Sequence, residues 1–149
     1  MKTTAKHFRG ESGQSIMELA LTLPMLLLIL VGVAEFGRFA YASIEVNNAA
    51  RAGVQYGAQS QFTASDVAGM KLAATQDGPD FTQMSATAKN FCSCADGSAS
   101  TCAIGDCSAS HVVEYVQVNT TAIVNPIFSY PGISNTLTLR GQAIMRVEQ

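Results

Sequence analysis

Four cysteines, Cys92, Cys94, Cys102 and Cys107, fall within sixteen residues rich in Gly, Ser, Ala and Asp. Thiols grouped this way either oxidise to disulfides or hold a soft metal. The spacing C-x-C-x7-C-x4-C lacks the C-x2-C knuckles of zinc sites, and His111 is the only nearby imidazole, so disulfides are expected and a metal is not. Four cysteines permit three pairings. Cys92 with Cys94 is disfavoured, because strand alternation keeps their side chains aligned, and the other two pairings remain open. Either closes two loops of roughly ten residues, worth about 2–3 kcal/mol each on the chain-entropy account.

A second reactive group is the carboxylate of Glu18, five positions after Gly13 and at the edge of an apolar run. A carboxylate beside hydrocarbon needs a cationic partner to offset a cost of a few kcal/mol. Glu35 and Arg38 are spaced i,i+3 and can pair on one helix face. Asp77, Asp80, Asp96 and Asp106 sit in glycine-containing turns, where acids bond the local backbone, and calcium binding is not expected. His7 and His111 stand alone, and no G-x-S-x-G, H-E-x-x-H, P-loop or dinucleotide pattern occurs. The chain is therefore expected to be no enzyme and to use no cofactor.

These groups are positioned by a chain of 149 residues that is 48% hydrophobic and 13% charged, with formal net charge −2 and mean hydropathy +0.19. That length accommodates one small domain. Sparse charge in an apolar chain argues against disorder, and near-neutrality argues against binding nucleic acid by phosphate neutralisation. The positive hydropathy has a local source. Leu19 to Ala34 carries no charge, a rise of about 24 Å, and Phe36, Phe39, Ala40 and Tyr41 extend the apolar stripe beyond Glu35. Lys2, Lys6 and Arg9 precede it against the single acid Glu11, which places the N-terminus in the cytoplasm and the rest across the membrane. Three fates are open: signal cleavage after Ala34, an uncleaved anchor, or a cut ahead of the apolar run.

The stretch Gly13-Gln14-Ser15-Ile16-Met17-Glu18 behind a short basic leader resembles a class III signal, the cleavage site of type IV prepilins. The resemblance implies that a membrane-embedded prepilin peptidase cuts after Gly13, that Gln14 carries the new α-amino group, and that Glu18 becomes an assembly residue. Read together with Glu35-Phe36-Gly37-Arg38 and Asn47-Asn48-Ala49-Ala50-Arg51-Ala52-Gly53, the segment from Gly13 to Ala58 is similar to the TadE-like family. Its members are pseudopilins or minor pilins of the tight-adherence (Flp, type IVb) pilus. Leu19 departs from the aromatic that such pilins often carry after the glutamate, and the chain is longer than a major subunit, so a minor or accessory subunit is favoured.

The resemblance implies a structural role in the inner membrane, with prepilin peptidase, other pilins and pilus assembly proteins as partners, and neither nucleic acid nor a small-molecule substrate. The alternative is a single-pass anchored periplasmic protein that is neither cleaved nor polymerised. Loss of the leader removes three cations and one acid, making the net charge more negative by two and suggesting no basic ligand groove.

The expected fold is α+β and pilin-like: a long transmembrane-to-periplasm helix packed on a small antiparallel sheet with a disulfide-rich loop. The leader spans 1–13, the membrane helix 14–41, its periplasmic extension 42–60 and the extracytoplasmic α+β domain 61–149. From Ser15 to Gly57 only Pro24 interrupts helix propensity, giving a rod of about 65 Å. Ile44, Ala49, Ala52 and Gly53 suit close packing, and Asn47, Asn48 and Arg51 form a polar face. A short helix capped by Thr63 or Ser65 is expected to run to Thr75, burying Val67, Met70 and Leu72. Strands are expected over Thr82 to Cys94, Val112 to Val124 and Thr136 to Val147, with loops at Asp77-Gly78-Pro79, Asn125-Pro126 and Tyr130-Pro131-Gly132.

Overall fold

A computed structural model describes residues 12–78, 83–128 and 135–148, with only the backbone of Ser12. Helix α1 runs from Ser12 to Gly57 without a break at Pro24. Proline has no N–H to donate, so one carbonyl of the preceding turn loses its usual partner. The hydroxyl of Thr22 adds side-chain bonds just ahead of it, donating to the carbonyls of Glu18 at 3.0 Å and Leu19 at 3.3 Å. Two compact units divide this helix, the first ending at Gly37 and the second beginning at Arg38.

In the first unit every side chain from Gly13 to Leu30 is exposed, including all the leucines. The helix is long and apolar enough to cross a membrane.

In the second unit a stripe of small residues at helical spacing, Ala42, Val46, Ala49, Ala50, Gly53 and Val54, is buried. Ile44, expected to pack, instead points outward at 59% exposure, because it lies two residues from both Ala42 and Val46. Asn47 donates to the Ser43 carbonyl at 2.8 Å, while Asn48 and Arg51 are exposed as expected.

Helices α2 (Gln61–Ser65) and α3 (Val67–Gln76) replace the single short helix expected there. Ser60 caps α2 in a reciprocal box: its hydroxyl accepts from the Thr63 N–H at 3.2 Å, and the Thr63 hydroxyl accepts from the Ser60 N–H at 3.0 Å. Ser65 ends α2, and the cap of α3 is Asp66, whose carboxylate accepts from the Gly69 N–H at 2.9 Å. Met70 and Ala74, with Val67 half-buried, form the inner face of α3. Leu72 is 56% exposed, since two positions from Met70 is the opposite side of a helix.

Strands β1 (Ser85–Cys94), β2 (Ala99–Ser100), β3 (Val112–Val124) and β4 (Leu137–Arg146) form an antiparallel sheet ordered β2-β1-β3-β4. The three long strands match the expected segments. Pro79 and Thr82, and the turn Tyr130-Pro131-Gly132, lie outside the described residues. Strand β2 leaves no signal in the sequence, because two residues of Ala and Ser carry no alternation.

Alternation along β3 aims Val116, Val118, Thr120, Ala122 and Val124 at the core. They share it with Val54, Ala58, Ala64, Met70, Ala74 and Val147. Thr120 pairs with Gly141 across the sheet and donates its hydroxyl to the Val46 carbonyl of α1 at 2.7 Å. A Cβ on Gly141 would lie 2.5 Å from that carbonyl oxygen, so only glycine lets the helix backbone come this close.

Candidate assembly segment and disulfide loop

Gly13, Gln14 and Glu18 all lie in the first turns of α1, and all three are exposed. Gly13 and Glu18 are separated by about 7.5 Å along the axis. A Cβ built on Gly13 meets nothing within 4 Å, so the space around the candidate scissile position is open. The leader residues 1–11 lie outside the described residues. Glu18 is the only charged side chain on α1 between Gly13 and Ala34. Its exposed neighbours Ile16, Met17, Leu19 and Leu21 make it a lone carboxylate on an apolar rod.

Glu35 is 6% exposed, near the end of the first unit. Arg38 opens the second unit, where its guanidinium donates to the Asn125 carbonyl and lies 5.6 Å from the centre of the Phe39 ring. The role of Arg38 in holding α1 to the end of β3 had no signal in the sequence, because the two residues are 87 positions apart. One turn on, the Tyr41 hydroxyl donates to Glu45 at 2.8 Å.

The disulfides join Cys92 to Cys102 and Cys94 to Cys107, leaving no free cysteine among the described residues. This selects one of the two pairings left open. Cys92 and Cys94 share a face of β1, and each reaches a different partner in the loop that follows. With partners 10 and 13 positions apart in the chain, each bridge contributes about 3 kcal/mol by loop closure.

Two carboxylates finish the loop. Asp96 accepts from the Ser98 hydroxyl at 2.7 Å and the Ser98 N–H at 2.9 Å. Asp106 accepts from the Thr101 hydroxyl and N–H, both at 2.7 Å, and from the Ser100 hydroxyl at 3.2 Å. The serine and threonine donors hold both carboxyls below the usual aspartate range, led by the side-chain bonds from Ser98 and Thr101 respectively. Cys102, bonded to Cys92, has φ 71°, a conformation unusual for a side-chain-bearing residue, and its N–H donates to the Ser100 hydroxyl at 3.1 Å.

These acids therefore build turns, as their setting in the sequence predicts. No group of three or more His, Cys, Asp or Glu residues able to hold a metal occurs among the described residues. His111 stands exposed immediately before β3.

The family model for TadE-like proteins matches residues 13–55. The match begins at the candidate cleavage glycine and ends near the C-terminus of α1. No curated protein and no solved structure matches the chain.

Proposed function

From the match of residues 13–55 to the TadE-like family, associated with tight-adherence pili, we propose that this chain is a minor pilin or pseudopilin, a structural, non-catalytic subunit of pilus assembly. A prepilin peptidase removes the leader between Gly13 and Gln14, and α1 stays with the mature protein. Before assembly the chain sits in the inner membrane, with its N-terminus cytoplasmic and its disulfide-bonded domain periplasmic. The observation that carries the reading is the exposed rod from Gly13 to Leu30, whose only carboxylate is Glu18.

An apolar rod without a partner has two favourable surroundings, lipid or other apolar helices, and transfer from one to the other is filament assembly. Glu18 makes the second state selective. An α-amino group, with an ordinary pKa of about 8, is largely protonated at neutral pH, so the new terminus of Gln14 in a neighbouring subunit offers the cation that Glu18 lacks. Glu35 and Arg38 are further polar groups along the helix. Other pilins and the assembly proteins of the system are the partners.

Intact mass of the protein recovered from membranes tests the first step. Loss of Met1–Gly13 is expected. Loss through Ala34 would make it a secreted protein, and an unshortened chain would make it an anchor. The second step is tested by Glu18→Ala, which should enter the membrane and be cleaved yet be absent from sheared filaments. Wild-type incorporation of that variant would refute the assembly role.

A further inference from the structure

The sheet has a second face that carries no helix of the described residues. Facing outward on it, in register across β1, β3 and β4, are the rows Phe91–Tyr115–Arg146, Lys89–Gln117–Ile144 and Thr87–Asn119–Gln142. Thr121 and Arg140 continue the same face. Side chains across an antiparallel sheet share a face with their direct partners, so this grouping follows from the register.

Within the three long strands the charge on this face is one-sided, and the exposed Glu148 lies just past Arg146 beyond the end of β4. Lys89, Arg140 and Arg146 are all exposed, and among the described residues none pairs with a carboxylate. The only acid in the three long strands, Glu114, lies on the other face and accepts from Asn90 at 3.1 Å. A formal net charge of −2 conceals this segregation.

We propose that this face docks an extended acidic polysaccharide. Sheet spacings put the cation Cα atoms about 12 Å (Lys89 to Arg146), 17 Å (Lys89 to Arg140) and 20 Å (Arg140 to Arg146) apart. Two of these side chains can converge on one small anion, but the three cations together span about 20 Å along β4 and two strands across, which a polymer with repeating carboxylates engages at once. The ground between the cations suits sugars. Gln117 donates its amide to the Asn119 carbonyl oxygen at 3.1 Å, which leaves the Asn119 NH2, the Gln117 carbonyl oxygen and the exposed amide of Gln142 to donate to and accept from sugar hydroxyls. The half-buried Phe91 and Tyr115 rings stack on each other at 5.5 Å with Lys89 over Phe91 at 5.7 Å, so what they offer a sugar is their solvent-facing edges rather than open ring faces.

A protein partner fits less well, because the apolar groups of this face, the Phe91–Tyr115 pair with Ile144 beside it and Ile123 apart, are interleaved with cations and amides, whereas protein interfaces bury an apolar centre. A polynucleotide is also a polyanion, and the DNA arm of the test below separates it from a polysaccharide. The inference stands on the sheet and does not depend on the filament reading.

The test uses the full chain in detergent micelles, titrated with polygalacturonate, neutral dextran, poly-glutamate and single-stranded DNA. Polygalacturonate should bind, weaken on raising salt, and lose about tenfold in affinity in K89Q/R140Q/R146Q. R51Q/K71Q, which removes two exposed cations from helices, should bind as the wild type does. N119A/Q142A keeps every charge and should still weaken polygalacturonate binding several-fold. Unfolding midpoints and the mass of the oxidised protein verify that the variants are folded. Absence of polygalacturonate binding, equal loss in R51Q/K71Q, or no loss in K89Q/R140Q/R146Q would overturn the proposal. Full retention by N119A/Q142A, or equal or tighter binding of poly-glutamate or DNA, would overturn the polysaccharide assignment.

Discussion

From Gly13 to Leu30, α1 exposes Leu, Ile and Met on every side, whereas from Ala42 to Val54 the same helix buries a stripe of alanine, valine and glycine. Both stretches are helical, so backbone propensity does not separate them. Side-chain volume does. The large residues carry apolar area suited to a surrounding made of lipid or other helices, while the small ones let a sheet come within hydrogen-bonding distance of the helix backbone, as Thr120 does at Val46. The stability of the folded domain should therefore depend on substitutions in the second stretch and ignore those in the first.

The largest contrast is expected between Met70→Ala and Leu26→Ala. Met70 is fully buried against the outer part of α1 and the sheet, and its truncation should cost about 2–5 kcal/mol. Leu26 is 58% exposed, and its loss should leave the unfolding midpoint of the domain unchanged in detergent. Urea titrations of the full chain measure both. Equal effects would mean that the two units unfold as one.

Opening the Cys94–Cys107 bridge by the double change to serine should destabilise the domain by about 3 kcal/mol, seen as a lower urea midpoint. The other bridge ends at Cys102, whose backbone has φ 71°. Loss of either bridge should leave the helicity of α1 unaltered, as read by circular dichroism.

Glycines sharpen the contrast at a smaller scale. Gly141→Ala places a methyl group against the Val46 carbonyl and should cost about 1–3 kcal/mol. Gly32→Ala and Gly37→Ala meet nothing within 4 Å and should be neutral or slightly stabilising through helix propensity. Thermal unfolding of the three variants side by side decides this. A neutral Gly141→Ala would mean that α1 does not rest on β4 as closely as described.

What could be read from residues alone followed the range of the signal. The apolar run announced α1, and alternation announced β3 and β4, because both patterns repeat over ten or more residues. The cysteine spacing announced disulfides, yet their pairing depended on how the loop closes over β1, which spacing does not encode. The break between α2 and α3 was missed because Ser65 and Asp66 are adjacent capping residues, and the choice between them is made by tertiary partners. The cationic face was invisible for a related reason. Lys89, Arg140 and Arg146 meet only once the register of three strands is set, and net charge averages them away.

The choice of Asp66 also gives the smallest prediction, and one with a definite sign. Its carboxyl is held below the usual aspartate range first by the Gly69 N–H and then by the hydroxyl of Tyr56, which donates at 2.8 Å. A carboxyl whose pKa is depressed on folding adds stability that is complete above its unfolded pKa and is lost as pH falls through the folded one. The same bond raises the Tyr56 pKa, so its contribution is complete below the ordinary tyrosine range and is lost as pH rises through the folded value. Tyr56→Phe removes one donor and should flatten both limbs of the profile of unfolding midpoint against pH. Asp66→Asn should abolish the acid limb due to this carboxyl and reduce the alkaline one, because the amide oxygen still accepts from Tyr56 and caps α3 but carries no charge. Because both groups are only half-buried, the shifts should be the smallest of the series. Unaltered profiles in both variants would show that the link between the end of α1 and the start of α3 holds no stability of its own.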